Sequence, residues 1–201
     1  MSTVGPNAVI QLLDVLGGLR PDALAAVAAA AGAGPLVAAP PNGMVDEAVP
    51  RRLFDATLAV LGDDGERVLA AAGAATARSL LVHRIPRGAR AVLPVLPAGL
   101  ALRLLLAAVG RAAWTFAGSG RCATEAAAVT ITRNPLATPG CPWHVAVFGT
   151  LGDALVRGGV AVRHPRCSGR GDAVCRFELV TGRDPALRLG RAPVRLAGRA
   201  G

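Results

Sequence analysis

The texture of this sequence changes once, near residue 112, and that change limits the fold more than any other feature. Before it, Leu, Val and Ala recur at helical spacing in segments cut apart by glycine and proline. After it, β-branched runs alternate with turn signals. Asn7 is placed to cap a helix over 8–16, ended by Gly17-Gly18, and Pro21 suits the first turn of a second, reaching Ala31. Residues 32–43 form a proline- and glycine-rich loop. Asp46, Glu47 and Pro50 open a third helix carrying Leu53, Phe54, Leu58 and Leu61. Asp63-Asp64 cap a fourth that runs to His83 and is stopped by Pro86. Two helical pieces split by Pro94 and Pro97 reach Gly110. Beyond them, 114–116 and 127–132 read as strands and 141–156 as a helix. Residues 160–163 and 174–180 read as strands joined by the loop 167–172. The expectation is an α+β fold, with a helical N-terminal half packed on an antiparallel β-sheet formed mainly by the C-terminal half. Residues 1–181 read as one ligand-binding domain, and 182–201 as a basic, disordered tail.

The 201 residues suffice to bury one core. Apolar residues make up 52% but aromatics only 3%, so Leu, Val and Ile must supply most of the buried area. The net charge of +9 is carried by arginine alone. It suits nucleic acid, an anionic membrane surface or the carboxylates of a ligand, or it is simply a solvated face. Nucleic acid is disfavoured, because the arginines are scattered and stacking residues are few. Residues 23–45 and 91–102 are apolar but interrupted by proline and glycine, so the expected membrane contact is peripheral at most. No export signal is visible. Four cysteines then point to a reducing, cytoplasmic setting and to metal rather than disulfides.

Cys167 and Cys175 flank a Gly-Arg-Gly-Asp turn that a hairpin would close. Cys141 begins a helix, and Cys122 comes from an earlier strand. Thiolates favour zinc, and a closed tetrahedral site needs four ligands, so the expected set is Cys122, Cys141, Cys167 and Cys175. Glu125, His144 and His164 (three residues before Cys167) are alternative fourth ligands. The competing reading is buried free cysteines acting as small hydrophobes. Such a metal would be structural. Trp114, Phe116, Trp143, His144 and Phe148 concentrate most of the aromatic side chains, either as the lining of a pocket for a flat apolar ligand or as ordinary core. His83 closes a helix, where it meets the helix dipole or offers an imidazole. The run Gly118-Ser119-Gly120-Arg121-Cys122-Ala123 fits a loose dinucleotide fingerprint, but strand rather than helix follows it and no acid lies about twenty residues on.

Several strings together carry a family resemblance: Gly5-Pro6-Asn7-Ala8-Val9, Met44-Val45-Asp46-Glu47, His83-Arg84-Ile85-Pro86, Trp114 to Gly120, Asn134-Pro135-Leu136 and Cys141-Pro142-Trp143-His144. The chain resembles the bacteriochlorophyll 4-vinyl reductase family over about residues 4–180. Residues 167–178 resemble the closing signature of the wider 4-vinyl reductase domain superfamily. The resemblance implies a fold similar to haem-binding nitric-oxide sensors and vesicle-tethering subunits. It also implies a zinc site of three cysteines and a carboxylate, as in phenol-sensing regulators, with Cys141, Cys167 and Cys175 as the cysteines. Arg163-His164-Pro165-Arg166 departs from the acidic residue usual before Cys167. The implied ligand is a magnesium porphyrin or chlorophyllide, reduced at a vinyl group or delivered to pathway enzymes such as magnesium chelatase. A scaffold role and a homodimer also fit. Trp114, Phe116, Trp143 and Phe148 would meet the ring, His83 or His144 the magnesium, and Arg84 and Arg121 the propionates. Reduction would require an external electron donor, since no nucleotide motif is visible.

Overall fold

A computed structural model describes residues 2–19 and 21–182. Two short strands, β1 (Thr3–Val4) and β2 (Val45–Asp46), pair antiparallel and tie the start of the chain to the loop before α4. The helices are α1 (Asn7–Leu19), α2 (Pro21–Ala30), α3 (Gly34–Ala38), α4 (Ala48–Leu61), α5 (Asp63–His83), α6 (Arg87–Val92) and α7 (Ala98–Arg111). Strands β3 (Arg121–Thr124) and β4 (Ala128–Thr132) follow, then α8 (Pro142–Leu155), β5 (Val160–Arg166) and β6 (Val174–Thr181). The four later strands form one antiparallel sheet in the order β3-β4-β6-β5. The α+β architecture is therefore as expected. The tail, Gly182 apart, lies outside the described residues.

The layers follow from side-chain size. On β6, Cys175, Phe177 and Leu179 are buried and alternate with half-buried Arg176 and Glu178. A sheet with one apolar face must be covered on that face. Helix α8 covers it with Val147, Phe148, Leu151 and Leu155, and α7 packs beside it over β3 and β6. Helix α5 lies on the other side of α8, backed by α1 and α4. After Val68 and Leu69 its buried stripe turns small (Ala72, Gly73, Thr76, Ala77), and there the two helices approach closely. A Cβ on Gly73 would lie 2.2 Å from the Trp143 carbonyl oxygen. The Thr57 and Thr76 hydroxyls, buried in these helices, donate to the carbonyls of Leu53 and Ala72 four residues back, at 2.7 and 2.9 Å.

Several local expectations need correction, among them that of a loop over 32–43, within which Gly34–Ala38 form α3. Gly17-Gly18 do not end α1, which runs on to Leu19. Their cost of about 1 kcal/mol each is offset by the buried face of Leu12, Leu13 and Leu16. Residues 114–116 are not a strand: Ala113–Thr115 form a 3₁₀ turn that ends α7. Asp63 and Asp64 do not cap α5 but lie in its first turn with Glu66, where their charge meets the helix dipole.

Candidate metal centre

The site is assembled where α8 starts and the β5–β6 hairpin closes. Cys141 precedes α8 in the left-handed region, at φ 45° and ψ 50°, and its N–H donates to the Thr138 carbonyl at 2.9 Å. A residue with a Cβ adopts that backbone at a cost, and such strain gathers at functional sites. Cys167 follows β5, and its N–H donates to Asp172 Oδ2 at 2.7 Å. A 3₁₀ turn, Ser168–Arg170, then leads into β6, where Cys175 points to the core. Gly169 lets this turn press on the loop that leads into α8: a Cβ there would lie 2.3 Å from the carbonyl carbon of Thr138. His164 arrives through a β-bulge. Arg163 pairs with Glu178 but Arg166 with Arg176, so three steps on β5 span two on β6. Pro165, which has no N–H to give a ladder, sits in that bulge.

These elements bring Cys141, His164, Cys167 and Cys175 together, with their ligand atoms all within 4.8 Å of one another. Cys141 Sγ lies 3.6 Å from the Sγ of Cys167 and 3.6 Å from that of Cys175. Tetrahedral zinc with Zn–S of about 2.3 Å would hold its sulfurs about 3.8 Å apart. His164 Nδ1 is 3.0 Å from the Gly140 carbonyl oxygen. A carbonyl only accepts, so Nδ1 carries the proton, and Nε2, which is buried without a hydrogen-bond partner, keeps its lone pair. The donor set therefore fits a tetrahedral metal. The Cys175 thiol is drawn well below its ordinary value. The largest cause is the hydrogen bond from Cys141, which outweighs burial, and the Ser168 hydroxyl at 3.0 Å adds to it. Cys141 is correspondingly pushed up, by that same bond and by burial.

The other sequence-predicted residues divide. Cys122 is not brought to the group. It lies across β3–β4 from Ile131, which in turn faces Cys175 on β6. Two strand spacings of about 4.8 Å separate the two cysteines. Burial pushes the Cys122 thiol up to about 11. Glu125 is on the outer face, paired with Arg176 at 3.0 Å. Phe116, Trp143, His144 and Phe148 join Phe54 and Phe177 in a continuous aromatic cluster. That cluster reaches the metal group, because the His164 ring stacks on Phe177 at 4.3 Å and 2°. His144 is 1% exposed, and neither ring nitrogen has a partner. Trp114 stands apart at 63% exposed, and His83, Arg84 and Arg121 are also exposed.

The Gly118-Ser119-Gly120 turn serves the fold: the Ser119 N–H and hydroxyl both donate to the Glu47 carboxylate at 2.7 Å. Sequence reasoning missed Ser168 and Asp172 as supports of the centre. The bulge that aims His164 was signalled only by a proline inside a strand.

The fold and the site define an α+β domain whose cysteine-histidine group, able to hold a metal ion, joins the start of a helix to a β-hairpin. No family model matches the chain. It is 38% identical over 187 residues to the Bacteriochlorophyll synthase 23 kDa chain of Cereibacter sphaeroides, covering 88% of this chain and 90% of that one. It is 36% identical over 188 residues to the protein of the same name from Rhodobacter capsulatus, covering 88% and 86%. The chain belongs to their family, the bacteriochlorophyll 4-vinyl reductase family.

Proposed function

We propose that this protein acts in bacteriochlorophyll synthesis by binding a tetrapyrrole, a magnesium porphyrin or chlorophyllide, and delivering it to an enzyme of the pathway. The observation that carries the reading is the similarity to two bacteriochlorophyll synthase chains across nearly the whole of each. In this reading zinc, held by Cys141, His164, Cys167 and Cys175, is structural. Three sulfurs and an imidazole fill a tetrahedron and leave no position for substrate. The pigment is met elsewhere. Exposed Arg84 and Arg121 suit carboxylate side chains, exposed His83 offers an imidazole to a central magnesium, and Trp114 offers an open ring face. Phe116, Trp143, His144 and Phe148 would line the wall behind the ligand.

Titration with magnesium protoporphyrin tests this. Saturable, red-shifted absorbance near one equivalent is expected, and an unchanged spectrum overturns the pigment reading. Incubating the loaded protein with a reductant and assaying ethyl product separates a reductase from a carrier. Metal analysis of the purified protein tests the zinc, for which one equivalent is expected.

A further inference from the structure

We infer that the outer face formed by α6, the 3₁₀ turn Leu93–Val95 and α7 docks this protein on an anionic lipid bilayer. Beyond Gly99, the exposed positions of α7 are Leu100, Arg103, Leu104, Ala107, Ala108 and Arg111, at the i, i+3, i+4, i+7, i+8, i+11 spacing of one helix face. The opposite face is buried through Ala101, Leu102, Leu105, Leu106 and Val109. A helix on a water-facing surface ordinarily turns a polar face outward. Here the outward face holds only apolar side chains and arginine. Val92 and Val95 extend it ahead of α7, and Val95 is 73% exposed.

Charge selects the occupant. From Arg67 to Thr124 the sequence holds eight arginines and no aspartate or glutamate. A second copy would bring the same positive face. The segment 183–201 carries five arginines against one aspartate, so it too is repelled. Nucleic acid would neutralise the arginines but leave the leucine and valine surface in water. An anionic bilayer satisfies both, with headgroups for the guanidinium groups and an apolar interior for the side chains between them. Arginine stems can lie along apolar surface while their heads reach phosphate. Among the described residues no helix is long and apolar enough to cross a membrane, so the contact is peripheral. This inference does not depend on pigment binding.

Flotation of the full chain with pigment-free vesicles tests it. Binding to phosphatidylglycerol-containing vesicles but not to pure phosphatidylcholine, weakened by salt, is expected. Arg87→Glu with Arg103→Glu should weaken it about tenfold or more. Leu100→Asp with Leu104→Asp should abolish it at unchanged circular dichroism. Val95→Asp, at the most exposed site, gives the same reading if that pair fails to fold. Absence of flotation, or flotation indifferent to all of these changes, overturns the inference. So does a dimer that Leu104→Asp dissociates, or capture of polyglutamate without lipid binding; these assign the face to a second copy or to an acidic protein.

Discussion

Where α5 crosses α8, Gly73 meets the Trp143 backbone and the Ala146 methyl group, and the fit is one of shape alone. Where β5 turns into β6, contact is made by three sulfurs, an imidazole and the polar groups of Ser168 and Asp172. The first region has no directional bond to lose and tolerates no added volume. The second is specified atom by atom and depends on its donors being joined. The helical half is thus a packing problem and the hairpin a ligation problem, although Trp143, His144 and Phe177 form a continuous aromatic path between them.

Breaking ligation should produce the largest effect. Cys175→Ser removes the sulfur that lies 3.6 Å from Cys141 Sγ and 3.0 Å from the Ser168 hydroxyl. With metal binding lost, stability should fall by more than about 4 kcal/mol in urea unfolding, and a chelator should reproduce the loss in the wild type. Hydrogen exchange sharpens the comparison. Protection should vanish across β5, β6 and the first turn of α8 while α1, α4 and α5 keep theirs. Uniform loss would show that the two regions fold as one unit.

Breaking shape comes next. Gly73→Ala sets a methyl group 2.2 Å from a backbone oxygen that cannot rotate away, so α5 and α8 must separate. Overpacking of this kind should cost about 3 kcal/mol, measured by the urea midpoint, with metal content unchanged. Loss of metal in this variant would mean that the crossing also positions Cys141.

The aromatic link should reveal itself through pH. Burial, with a smaller contribution from His164, holds His144 down at about 4. An unfolded histidine titrates near 6.5. The folded value is the lower one, so the unfolded chain takes up the proton first. The contribution is constant above about pH 6.5 and is lost as pH falls towards 4, reaching about 2 kcal/mol at pH 5. His144→Leu should flatten that part of the stability curve relative to wild type. Because both ring nitrogens are unpartnered, it should cost little at pH 8. An unchanged acid limb would place the sensitivity in the cysteine group instead.

The two regions also differ in how far the sequence revealed them. Periodicity located α4, α5 and α8, because each carries a buried stripe at helical spacing. It misplaced the end of α1, because burial of leucines outweighs two glycines. It read residues 114–116 as a strand because β-branched and aromatic residues suit a tight turn equally well. In the hairpin, the Gly-Arg-Gly-Asp turn correctly implied that Cys167 and Cys175 meet, since that closure is local. The fourth donor stays open in the sequence among Cys122, Glu125, His144 and His164. His164 is a candidate because it lies three residues before Cys167, but choosing it depends on a bulge and on the β5–β6 register, and spacing reports neither.

That fourth position gives the smallest and most diagnostic prediction. Cys122 and Cys175 both point to the core face of the sheet, because Ile131 is the register partner of each. Sharing a face does not bring them within reach, for β4 lies between their strands. Held at about 11 by burial, the Cys122 thiol stays protonated and behaves as a small apolar group. Cys122→Ala should therefore keep full metal content and cost about 1 kcal/mol. His164→Ala removes the imidazole whose Nδ1–H is fixed by Gly140, and should lower metal occupancy at equal zinc concentration. If Cys122→Ala instead loses the metal and His164→Ala keeps it, the donor set must close across three strands, and the sheet register around Ile131 would have to shift to permit it.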